Sequence, residues 1–316
     1  MVELNWFATI IASAPAAALP GTCIRSNSRN PGRKGGSAGR TRYHVFIRLS
    51  DRFITVTQLI VSNSHPELAA AASTLATELR LPYQAQPPAG ASHALVLTPE
   101  RLELHTLGKH APGPVYVDFL HGASAWRRLH GGGKGQLLAK ALGIKGEQTP
   151  SLIDTTAGLG RDSFVLATLG CQVTLLERSP LAFALLRDGL RRAAADAAVA
   201  PIVARMQLLH TDACDYLATL PPEAYPDCVL VDPMFPERGK AALAKKEMQA
   251  FQTLIGDDLD APALLQAALR VAQKRVAVKR PRLGALIDGP RPDLQMAGQS
   301  TRFDIYFRLQ SVTTAQ

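Results

Sequence analysis

The segment with the clearest chemical potential follows an apolar run at 228–231 and reads Asp232-Pro233-Met234-Phe235-Pro236. Asp232 and the carbonyl of Pro233 can each accept one N–H of an exocyclic amine. This would fix the nitrogen for in-line attack on an electrophilic carbon and stabilise the positive charge that grows on it. Phe235 can stack on the ring that carries the amine. An Asp-Pro pair after a strand is, taken alone, more often a plain turn, so the interpretation depends on what other elements bring to this place.

A glycine-rich loop that starts at Asp154 could bring the reaction partner. It reads Asp154-Thr155-Thr156-Ala157-Gly158-Leu159-Gly160-Arg161-Asp162. Gly158 and Gly160 let a ligand approach the backbone, and the helix that follows offers unpaired N–H groups. Glu177 ends the next predicted strand, where a carboxylate can accept both hydroxyls of an adenosine ribose. The loop and Glu177 together predict an adenosine cofactor.

Two cofactor classes share this geometry. The dinucleotide fingerprint requires a third glycine where this chain has Ser163, and Asp154 is unfavourable beside a pyrophosphate. Asp154 suits a cationic amine instead, such as that of the methionine part of S-adenosylmethionine, so the loop favours this methyl donor over NAD. A glycine-rich turn without a ligand remains the third interpretation. Asp212 ends the third predicted strand and can accept from an adenine amino group, although an acid there is also a common turn residue.

The elements that must position these residues alternate regularly. Short apolar runs predict strands at 151–154, 171–176, 206–209, 228–231, 275–278 and 302–307, and helices are predicted at 162–169, 180–193 and 264–272. This alternation predicts an α/β fold with a doubly wound, Rossmann-like parallel sheet. Ligands of such sheets bind beyond the carboxyl ends of the strands, where the loop at Asp154, Glu177, Asp212 and Asp232 would all lie.

Three regions are predicted along the chain. Residues 1–52 form a basic low-complexity extension that cannot bury enough apolar area to order itself, which predicts disorder. Residues 53–115 predict a small α/β unit with strands at 53–61, 94–98 and 102–106 and a helix at 66–79. Residues 116–316 contain a helix at 136–142, followed by the alternating strands and helices of the predicted methyltransferase domain.

Composition narrows the class of protein. The formal net charge of +9 indicates a polyanionic partner, but eight basic residues and one acid within 25–52 supply +7 of it, so the remaining chain is only mildly basic. The sequence has no run of eighteen apolar residues, which argues against a membrane span. Its four cysteines form no close pair of the metal-binding or redox type and are expected to be reduced thiols in a cytoplasmic protein.

Several segments together resemble one known family. Amino-directed methyltransferases carry Asp/Asn-Pro-Pro-Tyr/Phe after the fourth strand, and here Met234 replaces the second proline. The run Asp-Pro-Met-Phe-Pro is similar to that of the bacterial RsmJ family, the ribosomal small-subunit RNA methyltransferases J. The other segments that carry the resemblance are Arg161-Asp162, Leu176-Glu177-Arg178, Lys245-Lys246-Glu247-Met248, Val278-Lys279-Arg280-Pro281 and Arg302-Phe303-Asp304-Ile305-Tyr306. The resemblance is dense over about 116–308, thinner over 53–115 and absent from 1–52.

The resemblance implies methylation of the exocyclic 2-amino group of guanosine 1516 of 16S rRNA, with S-adenosylmethionine as donor and no metal. The substrate would be the small ribosomal subunit or its assembly intermediate. The donor site would then be lined by Arg161, Asp162, Glu177, Arg178, Asp212, Ala213 and Asp232. The family's pair of serines after the third strand is Asp212-Ala213 in this chain. Lys245, Lys246, Lys279 and Arg280 are predicted to contact RNA phosphates, which would position the RNA without reading its sequence.

Two other functions compete with methyl transfer. A non-catalytic RNA-binding or ribosome-assembly module that keeps this fold would not need Asp232 for its role. A nucleotide-dependent oxidoreductase would need a hydride-handling site, and Ser163 disfavours a dinucleotide.

Overall fold

The fold is described from a computed structural model of the chain. The structure describes residues 59–122, 125, 127, 133–147, 149–234, 251, 254–255 and 258–308, together with the backbone of two short strands at 46–49 and 52–55. These two strands, β1 (Phe46–Leu49) and β2 (Arg52–Thr55), pair antiparallel as a hairpin. The boundary predicted at residue 52 therefore falls within a strand pair, and the rest of the predicted extension lies outside the described residues.

A seven-stranded sheet forms the centre of the molecule. Its strands are β6 (Leu152–Asp154), β7 (Val173–Glu177), β8 (Met206–His210), β9 (Cys228–Val231), β10 (Arg275–Pro281), β11 (Leu294–Ala297) and β12 (Thr301–Phe307). They lie in the order β11-β12-β10-β9-β6-β7-β8. The strands from β10 to β8 in that order are parallel, and β12 runs antiparallel to both β10 and β11.

The strand order reverses at β6, because the chain proceeds from β6 to β7 and β8 on one side and then to β9 and β10 on the other. A reversal of this kind opens a crevice at the carboxyl ends of β6 and β9, which is where open α/β sheets bind ligands. The predicted doubly wound α/β fold is confirmed.

Helices cover both faces of this sheet. The described helices of the third predicted region, residues 116–316, are α2 (Leu137–Ala141), α3 (Arg161–Thr168), α4 (Pro180–Ala194), α5 (Ala200–Val203), α6 (Ala213–Thr219) and α7 (Ala261–Val271). Successive residues of β6 show why both faces are covered, since Leu152 belongs to one buried apolar cluster and Ile153 to the other. This alternation follows from the two-residue period of a strand and explains why the strands read as continuous apolar runs.

Local sequence sets the position of α4, the longest described helix. Ser179 caps its N-terminus by accepting from the N–H of Ala182. Pro180 occupies the first turn, where a backbone N–H would have no partner within the helix, so its missing N–H costs nothing. Arg191 and Arg192 lie in the last turn, where their charge complements the helix dipole. The capped start places Glu177 and Arg178 directly before the helix, at the edge of the crevice.

The N-terminal unit is a three-stranded sheet with one helix. It contains β3 (Leu59–Asn63), α1 (Ala69–Leu79), β4 (His93–Leu97) and β5 (Leu102–Thr106). Strand β4 lies in the middle, parallel to β3 and antiparallel to β5, and the predicted pairing of its two later strands is confirmed.

This unit shares an apolar cluster with the larger sheet. Leu95 and Leu104 are buried in the same cluster as Leu152 and Leu185. The contact is reinforced where the N–H of Leu102 donates to Asp188 at 3.1 Å and where Arg187 and Glu78 form a bidentate ion pair. The two units predicted on either side of residue 115 are therefore packed through a continuous core.

Three features differ from the predicted elements. Strand β11 and helices α5 and α6 had no predicted counterpart. Strand β10 continues to Pro281, so Lys279 and Arg280 lie within it rather than beyond its end. The described cysteines, Cys171, Cys214 and Cys228, are free thiols. Among the described helices, none is both long and apolar enough to cross a membrane.

Candidate functional site

A cavity of about 400 Å³ opens at the carboxyl ends of β6, β7, β8 and β9. Most of the predicted site residues that the structure describes line this one cavity: Asp154, Gly158, Arg161, Asp162, Glu177, Arg178, Asp212, Ala213, Asp232 and Lys279. The exceptions among described residues are Gly160, Pro233 and Arg280. Seven carboxyl side chains and four cationic side chains lie in the wall. This excess of acids favours a positively charged ligand.

The loop after β6 is held by its own side chains. Asp154 is buried and accepts from the hydroxyl of Ser163 and from the N–H of Thr156. Thr155 donates its hydroxyl to the carbonyl of Leu230 on β9 at 2.9 Å, which ties the loop to the neighbouring strand. Ser163 therefore does more than break a dinucleotide fingerprint, because it anchors the carboxylate at the start of the loop.

The two loop glycines have different roles. Gly158 has a φ of +54° and lines the cavity, with its N–H donating to Glu177 at 2.7 Å. Gly160 has a φ of +70°, and a Cβ there would lie 2.6 Å from Leu186 and 3.3 Å from Phe119. A side chain at Gly160 would therefore clash with the packing of α4 against the loop, and the predicted approach of a ligand to Gly160 stays a prediction.

Glu177 lies at the end of β7 with only a small part of its side chain exposed. One carboxylate oxygen accepts from the N–H of Gly158 and the other from the N–H of Ser179, both at 2.7 Å. Burial raises the pKa of Glu177 to about 7, although these two hydrogen bonds act in the opposite direction. Burial likewise raises the pKa of Asp154 to about 6. Burial thus brings the pKa values of two carboxyl groups, at the ends of β6 and β7, close to neutral pH.

These raised pKa values predict a pH dependence of stability. Between the ordinary pKa of 4.5 and the folded value of about 7, folded Glu177 binds more protons than unfolded Glu177, so its contribution to the free energy of unfolding falls as pH rises. The loss is about 3 kcal/mol across that range, at 1.36 kcal/mol per pKa unit. Urea denaturation of the ligand-free protein at pH 5 and pH 7.5 measures it. Glu177→Gln is expected to gain stability over wild type on going from pH 5 to pH 7.5, and an unchanged difference between the two proteins contradicts the assignment.

Arg178 joins the end of β7 to the segment that leads into α7. Its guanidinium is paired with Asp258, with Asp260 at 2.7 Å and with Asp212 at 3.6 Å. Burial would lower the pKa of Arg178, but these carboxylates more than offset it and raise the pKa overall. Asp212 also caps α6 by accepting from the N–H groups of Cys214 and Asp215. One oxygen of Asp212 therefore has the local structural role that a turn residue would have. The residue also lines the cavity next to Ala213.

The turn after β9 is fixed from two directions. The N–H of Asp232 donates to the hydroxyl of Thr156 at 2.7 Å, which brings the turn against the first loop. The N–H of Met234 donates to Asp258 at 2.7 Å, and the N–H of Asp258 donates back to the carbonyl of Met234 at 3.0 Å. Pro233 between them is buried. Phe235 lies outside the described residues, so its predicted stacking stays a prediction.

A second charge network lies across the crevice from Glu177. Lys279 on β10 is 2.8 Å from Asp162 and 2.7 Å from Asp232, and Arg127 is 2.8 Å from the other oxygen of Asp162. Burial raises the pKa of Asp162, but the charges of Lys279 and Arg127 outweigh it, so the pKa is lowered overall. Asp162 is thus held as an anion at the start of α3.

The predicted RNA contacts fare differently from one another. Lys279 is engaged with two carboxylates inside the crevice. Arg280 has only 5% of its surface exposed and donates to the carbonyl of Ala285, so the prediction that it contacts RNA phosphate is corrected by its burial. Lys245 and Lys246 lie outside the described residues, and their predicted role stays a prediction.

Sequence reasoning missed three residues that shape the crevice. Thr156 supports Asp232, Asp258 supports Met234, and Arg127 pairs with Asp162. Thr156 stands within the glycine-rich loop, where its hydroxyl was a visible signal. Arg127 and Asp258 are far from their partners in sequence, and only the folded chain brings them together.

Comparisons with known proteins agree with this architecture. A family model described as a putative SAM-dependent methyltransferase matches residues 74–308. The chain is 52% identical over 252 residues to ribosomal RNA small subunit methyltransferase J of Pseudomonas aeruginosa strain UCBPP-PA14, covering 80% of this chain and 95% of that protein. It is 54% identical over 241 residues to the protein of the same name from Stutzerimonas stutzeri strain A1501, covering 76% and 92%.

One solved structure is similar over most of its length. It is the crystal structure of a SAM-dependent methyltransferase from Neisseria gonorrhoeae, with a TM-score of 0.61 and 37% sequence identity. The match covers 79% of this chain and 96% of that chain. Both kinds of comparison therefore extend over the N-terminal unit as well as over the larger sheet.

Proposed function

The chain belongs to the ribosomal RNA small subunit methyltransferase J family of SAM-dependent methyltransferases, and on that premise we propose that it methylates the 2-amino group of guanosine 1516 in 16S rRNA. The methyl donor is S-adenosylmethionine. The substrate is the small ribosomal subunit or an assembly intermediate of it, in the cytoplasm. The observation that carries the proposal is the position of Asp232, which opens into the same cavity as Glu177 and Asp154.

The residues of the cavity fit this donor. S-adenosylmethionine supplies a methyl group activated by a positively charged sulfur, and it also carries an ammonium group, so a wall with seven carboxyl groups and four cations suits its charge. Glu177 would accept from the ribose hydroxyls, because each of its oxygens has a further lone pair beyond the bond to backbone N–H. Asp154 and Asp162, which line the same cavity, would hold the amino-acid part.

The turn at Asp232 supports the choice of an amine acceptor. The lone pair of an exocyclic amine on a nucleobase is delocalised into the ring, so the nitrogen is a poor nucleophile unless its geometry is fixed. Asp232 and the carbonyl of Pro233 would each accept one N–H of the 2-amino group, and Phe235 would stack on the guanine. As the nitrogen forms its bond to the methyl carbon, the bond between that carbon and the sulfur would break and S-adenosylhomocysteine would leave. The nitrogen would then lose one proton to Asp232 or to water.

A non-catalytic RNA-binding module of the same fold is the alternative from another class. It predicts no shift of the unfolding temperature with S-adenosylmethionine and full cellular function for Asp232→Ala. If the protein is a nucleotide-dependent oxidoreductase, titration with NADH should quench fluorescence. The acid-rich cavity wall opposes that second alternative, because a dinucleotide carries a negatively charged pyrophosphate.

A deletion strain tests the proposed function. We expect 16S rRNA from cells without the protein to lack methylation of guanosine 1516, as measured by mass spectrometry of the isolated rRNA fragment. Wild-type protein and the control variant Asp215→Ala, changed at an exposed position on α6, restore the methyl group, and Asp232→Ala does not. Full methylation of this guanosine in the deletion strain would remove the proposal.

A further inference from the structure

Lys279 occupies an unexpected place for a residue at the substrate edge of the sheet. Its ammonium group lies between Asp162 and Asp232, at 2.8 and 2.7 Å, and its side chain is 29% exposed. Burial lowers the pKa of Lys279, but the two carboxylates outweigh this and raise it, so the lysine stays charged. Both carboxylates lie on other elements than β10, and the lysine therefore joins the start of α3 to the turn after β9.

These contacts leave Asp232 with one oxygen to offer. Its N–H donates to Thr156, and its Oδ2 accepts from Lys279. Within the part of the chain that the structure describes, Oδ1 has no hydrogen-bond partner. The bond to Lys279 at 2.7 Å restricts rotation of the carboxylate and leaves Oδ1 to accept from a group in the cavity that Asp232 lines.

The surroundings of Asp232 explain why a cation is needed there. The charged groups that act on it come from four elements or loops, namely Lys279 and Arg280 on β10, Asp162, Asp258 and Asp154. Three of the five are carboxyl groups. Burial and the neighbouring acids raise the pKa of Asp232, whereas Lys279 lowers it. A protonated carboxyl group would carry one O–H donor and would lose one of its acceptor sites.

We propose that Lys279 is a positioning residue for methyl transfer, which holds Asp232 through Oδ2 in its ionised form so that Oδ1 accepts an N–H of the guanine amine. This inference rests on the proposed function. It replaces the phosphate contact predicted for Lys279, since an ammonium group shared between two carboxylates has its charge already balanced. The two roles differ in what they control: a phosphate contact affects RNA affinity, and a positioning contact affects turnover.

The test measures kcat and KM for 16S rRNA from the deletion strain, at saturating S-adenosylmethionine, between pH 5.5 and pH 9. In Lys279→Met, we expect kcat on the acid limb of the profile to fall by about tenfold for each unit by which the pKa of Asp232 rises. The acid limb of the profile moves to higher pH, and kcat recovers towards the wild-type value at pH 9. KM for RNA changes by less than about threefold, and the salt dependence of KM is unchanged, whereas loss of one phosphate contact would lower its slope by about 1.

Two further variants guard against a merely structural loss. Lys279→Arg keeps the charge and is expected to retain the wild-type acid limb. Asp162→Asn removes a negative neighbour of Asp232, so its acid limb moves to lower pH, opposite to Lys279→Met. The matched control is Lys274→Met, because Lys274 pairs with a single carboxylate, Asp227, at the opposite end of β10, and its profile is expected to equal that of wild type.

The inference is overturned if Lys279→Met and Asp162→Asn keep the acid limb of wild type, or if Lys279→Met raises KM and flattens the salt dependence while kcat is unchanged. A loss of kcat that is equal at every pH also overturns it, as a structural effect. If Lys279→Met does not fold, the direction of the Asp162→Asn shift decides. Failure of the proposed function is separate, since wild-type protein would then transfer no methyl group to this guanosine at any pH.

Discussion

Replacement of Asp232 by asparagine is expected to lower kcat by about 100-fold or more, the range found when one transition-state hydrogen-bond partner is removed. The amide keeps the shape of the side chain and can still accept from Lys279. It loses the negative charge that stabilises the positive nitrogen in the transition state. Single-turnover methyl transfer to 16S rRNA from the deletion strain measures the effect at saturating donor.

The control for this change is Asp215→Asn, at an exposed position outside the cavity wall, which should transfer methyl at the wild-type rate. The dissociation constant for S-adenosylmethionine, measured by calorimetry, is expected to change by less than about tenfold in Asp232→Asn. A rate within about threefold of wild type would show that Asp232 is not an acceptor for the amine and would leave the proposed chemistry without its central group.

Replacement of Glu177 by alanine has the second large effect, on donor affinity. The change removes the acceptor proposed for two ribose hydroxyls, and each hydrogen bond to a charged group contributes about 1.5–3 kcal/mol. The dissociation constant for S-adenosylmethionine is therefore expected to rise by about 100-fold or more. The substitution Glu177→Ala also leaves the N–H groups of Gly158 and Ser179 without the carboxylate that accepts from them, so the unfolding temperature should fall.

Glu223→Ala, at an exposed position before β9, is the matched control and should leave affinity and unfolding temperature unchanged. Glu177→Gln separates the two effects, because the amide oxygen still accepts from one backbone N–H. If Glu177→Ala binds S-adenosylmethionine with wild-type affinity, Glu177 supports only the loop, and the ribose is held elsewhere.

The sequence predicted the central sheet well, because a strand buried on both faces reads as a continuous apolar run. The four residues of β9 are all buried, and their run at 228–231 was predicted with its observed bounds. Strand β11 was missed for the opposite reason. Three of its four residues are exposed and Met296 is half-buried, so neither an apolar run nor a regular alternation marks it.

The candidate site was predictable where function follows from position on a strand end. Asp154, Glu177, Asp212 and Asp232 each follow or end a strand of the parallel sheet, and parallel strands end at one edge. The partners of these residues were not predictable. Lys279 meets Asp162 over 117 residues of sequence and Asp232 over 47, and no local pattern indicates which carboxylates a strand lysine will contact.

Arg280 shows the same limit of local patterns. A Lys-Arg pair on a strand reads as two exposed charges, but successive strand residues point to opposite faces. Lys279 therefore reaches the crevice, and Arg280 is buried on the other side, where burial lowers its pKa. Only the packing around β10 decides that one cation is used at the site and the other inside the fold.

Transfer of a labelled methyl group tests the central claim most directly. Purified protein is incubated with S-adenosylmethionine that carries a deuterated methyl group and with small subunits from the deletion strain, and the RNA is digested for mass spectrometry. The account predicts one labelled nucleoside, guanosine methylated on its 2-amino nitrogen, at position 1516. A label on a ring atom, on a ribose or on another nucleotide would contradict the assignment of Asp232 and Pro233 as hydrogen-bond acceptors for an exocyclic amine.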